Sequence, residues 1–124
     1  MLFTLLAVIA ADPEPIEGRW KNPSGRVVVA IEACGEALCG MVISATESAR
    51  ADARRGGTEN LVGIQLMTEF TPAGPGKWRG RLFIPDLNHR SKAELHLLGP
   101  NQLKVTGCAV GRMICKSQLW TRAE

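Results

Sequence analysis

The chain contains no tyrosine, and its aromatic complement is three tryptophans and three phenylalanines. A single-stranded nucleic-acid surface needs aromatics interleaved with a basic stripe, and neither is present. Net charge does not supply the missing attraction: 15 basic and 12 acidic residues, well mixed, give only +3. Nucleic acid is therefore not an expected partner. A membrane-spanning helix is missing too. The apolar run MLFTLLAVIAA covers residues 1–11, and a span needs about 20 apolar residues, so no stable membrane anchor is expected. No crossover helix separates the strand-like segments, which argues against a parallel sheet.

There is equally little for catalysis. The two histidines read as surface groups: His96 beside Glu94 on the outward face of a strand, and His89 in a turn. No Ser or Cys has a base at a meaningful spacing. Asp86 and His89 can meet in a turn, but local hydrogen bonding accounts for them as well. Gly56-Gly57 lacks the lysine and following helix of a phosphate loop. No catalytic residue is assigned, no cofactor is expected, and the protein is not expected to be an enzyme.

What the chain does have is four cysteines, Cys34, Cys39, Cys108 and Cys115. A four-cysteine zinc site usually brings close C-x(2–4)-C pairs; Cys34 and Cys39 fit that spacing, and Cys108 and Cys115 do not. No metal site is assigned. An even number of cysteines in an exported chain favours two disulfides, and the start of the chain points to export. Its apolar run ends in Ala10-Ala11 and meets Asp12-Pro13-Glu14-Pro15, like a signal peptide cleaved after Ala10 or Ala11, although no Lys or Arg precedes the run. The expected organisation is a signal peptide over 1–11 and a single domain over 12–124, periplasmic or secreted from a bacterium.

The domain reads as about eight strands. Arg19 to Asn22 is the first, with a Pro/Gly turn after it. Arg26 to Glu32 follows, then a turn between Cys34 and Leu38, then Leu38 to Ser44. Thr46 can cap a short helix through Ala49, Ala51 and Ala53 that stops at Gly56-Gly57. Its apolar residues are only alanines, so 46–60 is read as an exposed lid or loop that buries little, with Arg50, Arg54 and Arg55 on a solvated face. Ile64 to Phe70, Trp78 to Ile84, Lys92 to Leu98, Gln102 to Cys108 and Met113 to Arg122 complete the set. Their period-two alternation and short connections predict an all-β fold, a small antiparallel up-and-down barrel that leaves no exposed sheet edge.

Gly18-x-Trp20 organises that barrel. Gly18 lets the backbone cross the floor closely, and Trp20 is the largest available plug. First and last strands are neighbours in a closed barrel, so Arg122 is expected over the Trp20 ring as a cation–π lid. Strand count then fixes the disulfides. Five strands lie between the Cys34/Cys39 turn and the Cys108/Cys115 turn, and an odd number puts those turns at opposite ends. A strand of about seven residues rises roughly 23 Å, while a disulfide needs Cα atoms within about 7 Å. The pairs are therefore Cys34–Cys39 and Cys108–Cys115.

An eight-stranded barrel is either filled by side chains or just able to hold one small ligand. The inward set is apolar, and Val29, Val42, Leu66, Leu82, Leu95 and Val105 are the candidate ligand-binding residues, with a small hydrophobic molecule as partner. The alternative is a filled core in a structural or interaction protein of the cell envelope, with 46–60 as its contact surface. No protein partner is assigned.

Seven ordered pieces carry a family resemblance: Gly18-x-Trp20, Val28-Val29-Ala30-Ile31, Cys34-Gly35-x-x-Leu38-Cys39-Gly40, Leu61-Val62-Gly63, Trp78-x-Gly80-x-Leu82-Phe83, Leu103-x-Val105-x-Gly107-Cys108 and Cys115-x-Ser117-Gln118-x-Trp120-Thr121-Arg122. Together they resemble a family of small exported bacterial proteins known as a domain of unknown function, DUF2147, from about Gly18 to Arg122. The resemblance implies a lipocalin-like barrel and no particular activity. Many members carry Asp-Pro and Gly-Lys-x-Tyr after the fifth strand; here that stretch is Ile84-Pro85-Asp86-Leu87-Asn88-His89-Arg90-Ser91-Lys92.

Overall fold

The computed structural model describes residues 15–108 and 115–123. The expected signal peptide, its cleavage point and the Met113 start of the last strand lie outside the described residues. Eight antiparallel strands are present among the described residues, each beside its sequence neighbours: β1 (Gly18–Lys21), β2 (Val27–Cys34), β3 (Ala37–Ala45), β4 (Gln65–Pro72), β5 (Lys77–Ile84), β6 (His89–Gly99), β7 (Gln102–Cys108) and β8 (Cys115–Arg122). Pairing of Trp20 with Arg122 and of Lys21 with Thr121 closes the sheet into a barrel.

Two connections differ from the sequence reading. The β2–β3 turn is only Gly35-Glu36, because Cys34 already pairs with Ala37 and Gly35 takes the positive φ of a two-residue hairpin. The β5–β6 connection is a single 3-10 turn over Pro85–Leu87, closed by Asn88 in the left-handed region. Asn tolerates that backbone, so β6 resumes at His89, three residues before the expected Lys92, and Ser91 becomes a strand residue.

The 46–60 segment forms the expected capped helix but packs more closely than expected. The helix α1 (Glu47–Arg55) forms with Thr46 as N-cap, its hydroxyl accepting from the Ala49 amide at 3.2 Å. It is not merely solvated: Ala49 and Ala53 are buried. Small side chains let the helix sit close, and it packs against the 3-10 turn. The Thr58 hydroxyl fixes this contact by donating to the Pro85 carbonyl at 2.8 Å. Arg50, Arg54 and Arg55 stay exposed.

Up-and-down connectivity sorts the connections into two ends. The β2–β3, β4–β5 and β6–β7 turns share one end with the start of β1. The β1–β2 turn, α1, the 3-10 turn, the end of β7 at Cys108 and the start of β8 at Cys115 share the other. Large rings fill the barrel toward the first end, where Trp20, Phe70 and Trp78 are all buried.

Candidate functional site

The first end is sealed. Trp20 is fully buried, and its indole donates to the Ile16 carbonyl at 2.8 Å. The Arg122 guanidinium lies 4.1 Å from the centre of the Trp20 ring. It donates to the carbonyls of Glu17 at 2.7 Å, Pro15 at 3.0 Å and Pro100, the last from Nε at 3.1 Å and Nη2 at 3.0 Å. One planar fork thus joins the segment leading into β1, the β6–β7 turn and β8. Gly18, at φ +125, leaves room for this arrangement: a Cβ there would meet Arg122 Nη1 at 2.8 Å.

The second end is hollow. A cavity of about 720 Å³ opens there, inside the roughly 300–1,000 Å³ range of small-molecule sites. Its apolar lining comes from Val27, Leu61, Leu66, Leu82, Val105 and Trp120, and α1 contributes Ala49. Of the candidate ligand residues, Leu66, Leu82 and Val105 line this space. Val29, Val42 and Leu95 do not: they are buried in the packed half. The register gives the reason. Val29 pairs directly with Trp20 and with Val42, and Leu95 pairs with Trp78, so all three sit at the level the rings already fill.

The lining also holds polar groups that the sequence reading did not select. Ser91 is 1% exposed, and its hydroxyl has no hydrogen-bond partner. Gln118 and Lys116 lie on the same barrel wall, on β8. Counting back by twos from the inward Trp120 reaches both, so period-two alternation could have found them. Ser91 was hidden because its strand was expected to start one residue later. His89 reaches the rim as an exposed residue, and His96 is half-buried on the outside, two residues from Glu94.

The lid is tied to the barrel by charge. Arg26 donates to the Asp52 carboxylate at 3.1 Å, and Arg55 pairs with the same carboxylate. The Arg26 hydrogen bond outweighs an opposing desolvation and, helped by the charges of Arg55 and Arg26, holds the Asp52 carboxyl below its ordinary value of 3.8. A lowered folded-state value means that the contact stabilises fully above pH 3.8 and is lost as pH falls through the folded value. Protection of the α1 amides, taken relative to their intrinsic exchange rates at each pH, should therefore fall in acid below that point. In Asp52→Asn protection should be lower at neutral pH and lose that acid step; an unchanged protection profile would show that the pair does not hold the lid.

Both disulfides occur with the expected pairing, Cys34–Cys39 and Cys108–Cys115, at opposite ends of the barrel. Each closes a short loop, worth roughly 2.4 kcal/mol on the chain-entropy model. Reduction should lower the urea midpoint and leave the far-ultraviolet spectrum folded; a reduced chain with a random-coil spectrum would make the disulfides essential to the fold.

The model of an uncharacterized protein family conserved in bacteria, DUF2147, matches residues 18–122. No curated protein matches the sequence. Among solved structures, protein HP1028 from the human pathogen Helicobacter pylori, which belongs to the lipocalin family, aligns with a TM-score of 0.65 at 10% identity, over 87% of this chain and 82% of that one. At that identity the likeness speaks for the fold alone.

Proposed function

The chain belongs to the DUF2147 family of uncharacterized bacterial proteins, and we propose that it is an exported binding protein that carries one small, largely apolar molecule in the open half of its barrel. The observation that carries this reading is the division of the barrel. Trp20, Phe70 and Trp78 fill one half, while the other keeps a cavity of about 720 Å³ between an apolar wall and a helical lid. A wholly filled core, as the structural alternative requires, would leave no such space in a close-packed interior. Export is supported by the two disulfides, which persist in oxidising compartments, and by the apolar start of the chain.

Native mass spectrometry of protein purified from its own envelope tests the reading. One small molecule per folded chain, lost on denaturation, is the expected result. A folded chain at its bare mass, with no mass added by incubation in an envelope lipid extract, would favour the structural alternative.

A further inference from the structure

The cavity is not uniformly apolar, and its polar positions converge on one wall. Gly107 pairs with Lys116, and Val105 pairs with Gln118. Gly107 also pairs with Ala93 of β6, two residues from Ser91. The missing side chain of Gly107 leaves a notch. A Cβ built there would lie 3.4 Å from Leu82 Cδ2 and 3.5 Å from Ser91 Oγ. The Ser91 hydroxyl therefore stands at the edge of this notch, buried and without a partner, beside the half-buried Leu82 with which it pairs across the strands. Buried polar groups are normally satisfied, and one that is not calls for an explanation, among them a functional role or a bound water or ion. Gln118 accepts from the Trp120 indole through Oε1 at 3.1 Å, which leaves its amide group as a donor. Lys116 makes no ion pair among the described residues. Of the two carboxylates of the lining, Asp52 lies on the lid and is tied to Arg26 and Arg55, and Asp86 lies in the 3-10 turn on which the lid rests.

Three donors thus face one region from β6 and β8, across from the apolar side chains of β4 and β5. We infer that the ligand of this cavity is an anionic amphiphile, of the long-chain carboxylate class, whose acidic head is received by Ser91, Gln118 and Lys116 while its chain lies against Leu61, Leu66 and Leu82. The inference rests on the binding function proposed above and specifies its ligand. Entry of the head turns Leu82 aside and gives the Ser91 hydroxyl the acceptor it lacks. A site built around placed donors rejects analogues that lack the matching group.

Displacement of a neutral probe, N-phenylnaphthylamine, by dodecanoate and by methyl dodecanoate tests this on the intact protein. Dodecanoate should compete at least about tenfold better than the ester, as a charge-assisted hydrogen bond implies, and added salt should shrink that preference. Ser91→Ala should cut the preference for dodecanoate over its ester by about tenfold and leave the unfolding midpoint equal or higher, because it removes an unsatisfied buried group. A merely structural serine would lower the midpoint instead. Lys116→Met should erase the preference for acid over ester. Equal competition by acid and ester, or variants that weaken acid and ester alike, would overturn the carboxylate inference and leave the binding function standing. Failure of the probe and both competitors to bind at all would overturn both.

Discussion

Trp20→Ala should unfold this protein at a much lower urea concentration than the parent chain. The indole is fully buried, and removing a buried Trp or Phe typically costs about 3–5 kcal/mol in lost transfer energy and residual cavity. A domain of this size has only about 5–15 kcal/mol in total. The hydrogen bond to the Ile16 carbonyl is lost as well, which leaves that carbonyl without its indole donor. Arg122→Ala should cost less, about 1–2 kcal/mol. It removes the cation–π contact, but the carbonyls of Pro15 and Pro100 lie at the surface, so water can replace the guanidinium there. Arg122→Lys should recover only part of the loss, since an ammonium cannot reproduce a planar fork spread over three carbonyls. Equilibrium urea unfolding with a shared slope reads all three variants. A Trp20→Ala midpoint equal to that of the parent would mean that the floor does not organise the barrel.

Gly56→Ala should be the most damaging single-methyl change at the mouth. Gly56 ends α1 with φ −85 and ψ 0, a backbone open to any residue. Space, not conformation, requires glycine there. A Cβ would coincide with the carbonyl of Asp86 and lie 2.6 Å from its Cα. These are backbone atoms of the 3-10 turn and cannot rotate away. The helix must lift off the turn, breaking the Thr58–Pro85 hydrogen bond and exposing Ala49 and Ala53. Overpacking of this kind costs about 1–3 kcal/mol or more, and its local signature should be faster amide exchange in α1 with slower exchange kept in β1 and β8. Gly99→Ala, where nothing lies within 4 Å of the added carbon, is the matched control. Equal behaviour of the two variants would show that the lid does not rest on the turn.

The floor and the strand order were legible in the sequence because their signals are local. Gly18-x-Trp20 and the alternation around Trp78, Leu95 and Leu103 each depend on one strand, and closure of the barrel follows from their number. The disulfide pairing was legible for the same reason: it needs only the parity of the strands between two turns. The site was less legible. Alternation says that Val29, Val42, Leu66, Leu82, Leu95 and Val105 face inward, but not how far along the barrel the tryptophan rings reach. That depends on register between strands, which set Val29 and Val42 beside Trp20 and left Leu66 and Leu82 beside empty space. The lid was underestimated because alanine carries little apolar area; its role is to permit close approach, a property that appears only when Gly56 meets Asp86. Ser91 was missed through a boundary error, since Asn88 in a left-handed conformation let the strand begin early.

If the barrel is sealed at Trp20 and hollow under α1, a fluorescence titration with N-phenylnaphthylamine on Leu82→Trp and the parent chain side by side should tell the two apart. Leu82 is half-buried and lines the cavity, so an indole at that position occupies the hollow half without displacing the packed one. The expected result is saturable binding of one probe per parent chain, and loss of that binding in Leu82→Trp at an unchanged unfolding midpoint. Non-saturable uptake by the parent chain, or equal saturable binding by the filled variant, would contradict it.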